Sequence, residues 1–291
     1  MPREQHQNFD ISIHYSGDIV TNDHKIGLRT YANTLHHLSA AVDRALLSHH
    51  RGRIHKNARI TRDERAGLDF IVLDPEDNGI VLKFIANQNN PIARFVTEKI
   101  ANYLEDANRQ EPQATITPAQ IRERIAQIQQ EDEIRVEQMP DREDDFAKKA
   151  ICREINSILG EIRHEHAGQS QIRIELKKAN GETTRLEFNR FTAENFNRIV
   201  NGRSIIGPFL YQLRIKALDL MNQSKMHAKC IDVVTGKQRT LYFKDLADLQ
   251  RMKEYLTTDD EISVNIYGFS ITEFNVVDNI AGDIHFIAIQ E

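Results

Sequence analysis

The chain has 291 residues, 40% hydrophobic and 28% charged, with a formal net charge of −5. That length allows two or three ordinary domains, each able to bury its own core, and the charge excludes a global pull toward nucleic acid or anionic membrane, so such binding needs a local patch. Cys152 and Cys230 stand in no paired spacing, which argues against a disulfide framework or a thiolate metal centre and for a reducing, cytoplasmic setting.

The opening MPREQHQNFD lacks the apolar core of a signal peptide, and no run nears the ~18 apolar residues of a membrane span. Phe9, Ile11, Ile13 and Tyr15 then alternate as one face of a strand. Leu28, Tyr31, Leu35, Leu38, Val42, Ala45 and Leu46 recur at spacings of three and four, the stripe of an amphipathic helix. Residues 49–65, HHRGRIHKNARITRDER, hold six Lys/Arg and three His against Asp63 and Glu64. Gly52 and Asn57 mark this stretch as loop-like. Strands at 68–73 and 80–85 flank the turn-forming Asp74-Pro75-Glu76-Asp77-Asn78-Gly79, and a second helix follows at about 92–107. Residues 1–110 therefore read as an N-terminal α+β domain.

Thr117 caps a helix with Pro118 at its first position and Ile121, Ile125 and Ile128 on one face. Residues 131–145, EDEIRVEQMPDREDD, carry eight acidic and two basic side chains around Met139-Pro140, which suits a solvated linker. Such a linker is expected to be exposed, either flexible or docked on the basic 49–65 stretch. A further helix carries Phe146, Ala150, Ile151, Ile155, Ile158, Leu159 and Ile162. Residues 111–169 read as an acidic helical connector.

Two stretches set 55 residues apart share Gly-x4-Leu-x-Phe: Gly181, Leu186 and Phe188, then Gly236, Leu241 and Phe243. Each closes a hairpin signal and is followed by a short helix and another strand. The expectation is one β-rich domain over 170–291, built from two β-β-α-β units. The last 88 residues also support β-β-β-α-β-β, the element order of a small OB-fold barrel. The predicted fold class is α+β.

Residues 211–244 hold seven basic and two acidic side chains, and residues 245–291 hold two basic and ten acidic. Arg214 and Lys216 alternate with Leu213 and Ile215, which puts the cations on an exposed strand face. With Lys229, Arg239 and the stacking ring of Tyr242 they form a candidate nucleic-acid surface. Arg51, Arg53, Lys56 and Arg59 form a second, loop-borne one. Both patches have a plainer reading: the basic strands face the acidic stretch of the same domain or of a partner chain, and residues 49–65 form a solvated loop or one docked on the acidic 131–145 segment.

Glu175-Leu176-Lys177 has the E-x-K spacing of strand-borne nuclease sites, where a carboxylate holds a divalent ion and the lysine steadies the attacking water. A solvated charge pair gives the same pattern, and the nearest upstream acids, Glu154, Glu161 and Glu165, belong to a helix or its end. His14, Asp18, Asp23 and His24, like His164-Glu165-His166, match no metal-ligand motif. No P-loop, dinucleotide fingerprint or nucleophile elbow is present, and no cofactor or metal is expected.

The run Phe9-Asp10-Ile11-Ser12-Ile13-His14-Tyr15-Ser16-Gly17-Asp18, the step His24-Lys25-Ile26 and Leu35-His36-His37-Leu38 resemble the N-terminal region of uncharacterised bacterial proteins, some encoded near mobile elements or defence genes. The likeness spans about the first 100 residues. It implies a bacterial or phage-related cytoplasmic protein and carries over no residue roles. The functional expectation is a non-catalytic binding protein for a protein or nucleic-acid partner. Its alternatives are a metal-dependent nuclease using Glu175 and Lys177, and a homo-oligomeric structural protein whose helices at 118–130 and 146–162 pair between chains.

Overall fold

The computed structural model describes residues 10–21, 25–56, 58–73, 80–86, 90–112, 114–140, 145–164, 167–219, 226–256 and 262–290. In chain order the first half holds β1 (Ile11–Ser16), α1 (Leu28–Arg51), α2 (Arg62–Ala66), β2 (Phe70–Val72), β3 (Ile80–Ala86), α3 (Pro91–Asn108), α4 (Pro118–Ile128) and α5 (Asp145–Leu159). The second half holds β4 (Gln171–Lys177), β5 (Thr183–Phe188), α6 (Arg190–Val200), β6 (Arg203–Asp219), β7 (His227–Asp232), β8 (Gln238–Tyr242), α7 (Leu246–Arg251), β9 (Val264–Glu273), β10 (Val276–Val277) and β11 (Ile284–Ile289). The class is α+β. No helix among the described residues is long and apolar enough to cross a membrane.

Two compact units divide the chain, each built from separated stretches: Met1–Ile54, Ala58–Pro112 and Ala147–Asn201 form unit 1, and His55–Asn57, Gln113–Phe146 and Gly202–Glu291 form unit 2. Unit 1 holds an antiparallel sheet in the order β2-β3-β1-β4-β5. The alternation in β1 decides its neighbours: Ile11 sits opposite Phe84 and Leu176, Ile13 opposite Leu82 and Ile174, and Tyr15 opposite Ile80 and Ile172. A one-residue slip in either pairing would turn these rows away from the core. Helices cover that face, with α3 on β4, α6 on β5, and α1 against α3. Helix α5 joins them: Glu154 lies 2.7 Å from His37 Nδ1 of α1, the Cys152 thiol donates to Tyr103 O of α3 at 3.6 Å, and Asn156 donates to Asn197 of α6 at 3.0 Å.

Unit 2 is a closed barrel. Its strands follow the order β9-β11-β8-β7-β6, and β6 returns to pair with β9, with β10 a two-residue extension beyond the ring. The strand β6 serves two neighbours: Arg203–Leu213 run against β9, and Leu213–Asp219 against β7. Its register shifts between Ile206 and Phe209, where Gly207 takes φ 107°. The interior is filled by Tyr211, Leu213, Ile215, Cys230, Leu241, Ile266, Ile284 and Phe286, with Leu249 and Met252 closing the core from α7 and the turn after it.

These arrangements correct two expectations. The 172–188 hairpin is the edge of the N-terminal sheet, so the proposed domain over 170–291 and its duplicated β-β-α-β units do not exist. Leu186 and Phe188 are buried, as are Leu241 and Phe243, and Gly181 and Gly236 both turn at positive φ. The shared motif therefore marks two amphipathic hairpins, and the hydrophobic rows of β1 recruit one of them. The connector over 111–169 is likewise divided. Ile121, Ile125 and Ile128 of α4 are buried against Phe269 and Ile287 on the barrel, whereas α5 belongs to unit 1. The described part of the acidic segment, residues 131–140, is largely exposed and held by the barrel through Glu137 N to Pro208 O (2.8 Å) and Asn279 Nδ2 to Pro140 O (2.6 Å).

Candidate functional site

Helix α4 splits the barrel exterior into two sectors. Over β9 and β11 the outward residues Tyr267, Phe269, Ile287 and Ala288 are apolar and lie beneath α4. Gln129 pins the helix end by donating to Ile287 O at 2.6 Å, and Lys244 donates to its side-chain oxygen. Over β7 and β8 the outward residues are, apart from Ile231, polar, aromatic or basic: His227 and Lys229 on one strand, Gln238, Thr240 and Tyr242 on the other. The alternation that sends Ala228, Cys230 and Leu241 inward sends these outward.

Tyr242 sits at the centre of a row across three strands. It is opposite His227 on β7 and opposite His285 on β11, which runs parallel to β8. Its ring stacks on His285 with centroids 5.3 Å apart and planes 24° apart, and lies 5.9 Å from the His227 ring at 39°. His227 Nδ1 is 3.7 Å from Asp219 at the end of β6. Burial holds the His285 ring down to a pKa of about 4, with Asp283 opposing, so at neutral pH this ring is uncharged. Burial pushes the Tyr242 hydroxyl up; Asp283 adds to this, and Lys56 and Arg203 oppose it.

Cations lie further along the same strands and in the loops of the same unit. Lys229 is exposed and lies opposite Thr240 and Ala217. Arg214 and Lys216 are half-buried, outward residues of β6. Lys56 reaches both carboxylate oxygens of Asp283 at 3.0 Å, and its backbone N–H donates to Asp278 at 2.8 Å. Arg203 is 2.8 Å from Glu273. The surface thus combines ring faces with positive charge that is partly neutralised.

The predicted site residues are distributed unevenly. Arg214, Lys216, Lys229 and Tyr242 share the open sector, and Lys56 lies beside it in the same unit. Arg239 does not: it is 2% exposed, 2.8 Å from the carboxylate of the buried Asp232, and its guanidinium lies 5.5 Å over the Tyr211 ring. It also donates to the carbonyls of Asn279 and Gly282. Its strand alternation points it inward, and its role is to tie the loop after β7 to the loop before β11.

Arg51, Arg53 and Arg59 belong to unit 1. The stretch containing them is less loop-like than expected, since α1 runs through Arg51 and α2 begins after Thr61, whose capping box with Glu64 is complete. Arg51 spends its charge on Glu64 at 2.7 and 2.9 Å, which holds that carboxyl down at about 2. His227 and His285 stand in no motif of the amino-acid sequence: alternation with Lys229 puts His227 on the outward face of β7, but the pairing of β11 with β8 has no local signal.

Glu175 of the E-x-K stretch faces Arg185, which donates to it at 2.6 Å, and Ser12 on the other side. Among the described residues no group of three or more His, Cys, Asp or Glu is placed to hold a metal ion. Asp18 accepts from Gln169 N at 2.9 Å; His14 lies within β1, its pKa lowered by burial and then by Arg173. Asp23, His24, Glu165 and His166 lie outside the described residues. Comparison with protein-family models, curated proteins and solved structures finds no match to the chain.

Proposed function

We propose that the protein is a non-catalytic binding module that takes single-stranded nucleic acid on the open sector of its barrel. The observation that carries this reading is the row of His227, Tyr242 and His285 on three neighbouring strands, with Lys229 two residues from His227 on the same face and Lys216 and Arg214 further along β6. Stacking on such rings tolerates any base, and flanking cations track the phosphates. The strand order supports it as an analogy of fold. Counted along the chain, the ring runs first, second, third, fifth, fourth and back to first, with a helix between third and fourth, which is the order of an OB-fold barrel. Those barrels carry oligonucleotides on the second and third strands. We place this activity in the cytoplasm, in keeping with the two free, buried cysteines.

The nuclease reading lacks comparable support, because the carboxylate it needs is engaged by Arg185. Fluorescence anisotropy with labelled single- and double-stranded oligonucleotides tests the proposal. Tyr242→Ala is expected to weaken single-strand binding by about 1–3 kcal/mol, and Lys229→Ala to reduce the slope of log affinity against log salt by about 0.7. Absence of single-strand binding at low salt, or affinity unchanged by Tyr242→Ala, refutes the proposal.

A further inference from the structure

We propose that β5 is a self-association edge: two copies of the chain join their five-stranded sheets antiparallel along it, with Leu186 facing Leu186 of the second copy. The sheet order ends at β5, and among the described residues no strand pairs with its outer side. The strand carries no proline, and its register against β4 is unbroken from Ile172–Phe188 to Lys177–Thr183. A cleft of about 570 Å³ is lined by Thr183, Thr184, Arg185 and Leu186, so solvent reaches the edge from that side. An open edge of this kind presents unpaired backbone donors and acceptors to any strand that fits.

Charge decides which strand fits. Thr184, Leu186 and Phe188 face the core, while Thr183, Arg185 and Glu187 face outward. Only registers that keep the two core faces on one side are admissible, and these differ by two residues. With Leu186 on the two-fold axis, Arg185 of each copy lies opposite Glu187 of the other. Moving the axis to Arg185 sets arginine against arginine, and moving it to Glu187 sets glutamate against glutamate. The symmetric register is therefore the one that attracts, and its two neighbours repel.

The existing sheet extends the same pattern inward. Arg173 is 2.8 Å from Glu187, and Arg185 is 2.6 Å from Glu175. Across the joined edge each outward row would run Arg173, Glu187, then Arg185 and Glu175 of the second copy, alternating in sign over four strands. The Arg185 and Glu187 side chains are 61% and 60% exposed in the single chain, so no burial opposes their pairing. A two-fold contact of one strand with itself is the simplest closed arrangement for such an edge, and the charges reject strands that lack the matching order. This inference is independent of the barrel and its ligand.

Sedimentation velocity of the full chain, over a concentration series into the micromolar range, reads the association. The wild type is expected to form a dimer. Arg185→Glu and Glu187→Arg each place like charges at both cross-strand contacts and should weaken it about tenfold or more. Mixing the two variants restores opposite charges at both contacts, so a heterodimer should form from chains that are monomeric alone. Arg185→Gln and Glu187→Gln, which remove charge without reversing it, should give intermediate constants, and circular dichroism checks that each variant is folded. Hydrogen exchange at 183–188 should slow as the wild type is concentrated. A wild type that stays monomeric, a dimer unaffected by either charge reversal, or a mixture that fails to associate overturns the proposal.

Discussion

Replacing Arg239 with methionine tests whether this cation is part of the barrel's frame or of its surface. The guanidinium is 2% exposed and lies 2.8 Å from Asp232, itself 4% exposed. Removing it leaves a buried carboxylate whose remaining partners are the backbone N–H groups of Val234 (2.9 Å) and Thr235 (3.1 Å). It also frees the carbonyls of Asn279 and Gly282 from their donor. Breaking a buried pair from one side costs about 3–5 kcal/mol, a large part of the ~5–15 kcal/mol that separates folded from unfolded domains. Asp232→Asn combined with Arg239→Met removes the stranded charge while keeping an acceptor for the two amides. The double variant should therefore recover about 1–2 kcal/mol. Urea unfolding followed by far-UV ellipticity measures the loss, and hydrogen exchange at 238–242 separates the barrel's opening from that of unit 1. A cost for Arg239→Met below about 1 kcal/mol would refute the buried pair and return Arg239 to the surface as a ligand contact.

Two further outcomes follow from the barrel's packing. His285 has a pKa of about 4 in the folded chain against an ordinary 6.5, so between these values the unfolded chain takes up a proton that the folded one refuses. Its stabilising contribution is whole above about pH 6.5 and is lost as pH falls toward 4, up to about 3 kcal/mol. His285→Phe should flatten that part of the pH–stability curve, and an NMR titration midpoint of the wild-type ring near 6.5 would refute it. Gly268 has no room for a side chain: a Cβ there would lie 2.6 Å from Ile284 Cγ2 and 3.0 Å from His285 O. Gly268→Ala should destabilise the barrel by about 1–3 kcal/mol, read as a lower melting midpoint, and an unchanged midpoint would show that β9 and β11 are not closed at this position.

Local pattern was enough to locate elements and to turn their faces. The alternation of Ile172, Ile174 and Leu176, the cap at Thr117 with Pro118 beside it, and the outward placing of Lys216, Lys229 and Tyr242 all follow from spacing within a few residues, because backbone period and side-chain direction are local properties. Partnership was not legible. The two Gly-x4-Leu-x-Phe hairpins look alike since each needs a turn and an apolar face; yet β1 draws one into its sheet from more than 150 residues away, and the other closes a barrel. Arg239 shows the same limit at one residue: alternation with Leu241 turns it inward, but the buried Asp232 and the two loop carbonyls that hold a cation there come from distant parts of the chain. The row at Tyr242 likewise exists only because β11 comes to lie parallel to β8. The amino-acid sequence by itself determined which segments are helix or strand and which side of each is apolar. Tertiary structure decided which apolar sides meet, and therefore which charges are buried and which rings stand together, because those choices depend on contacts between residues that are distant in the chain.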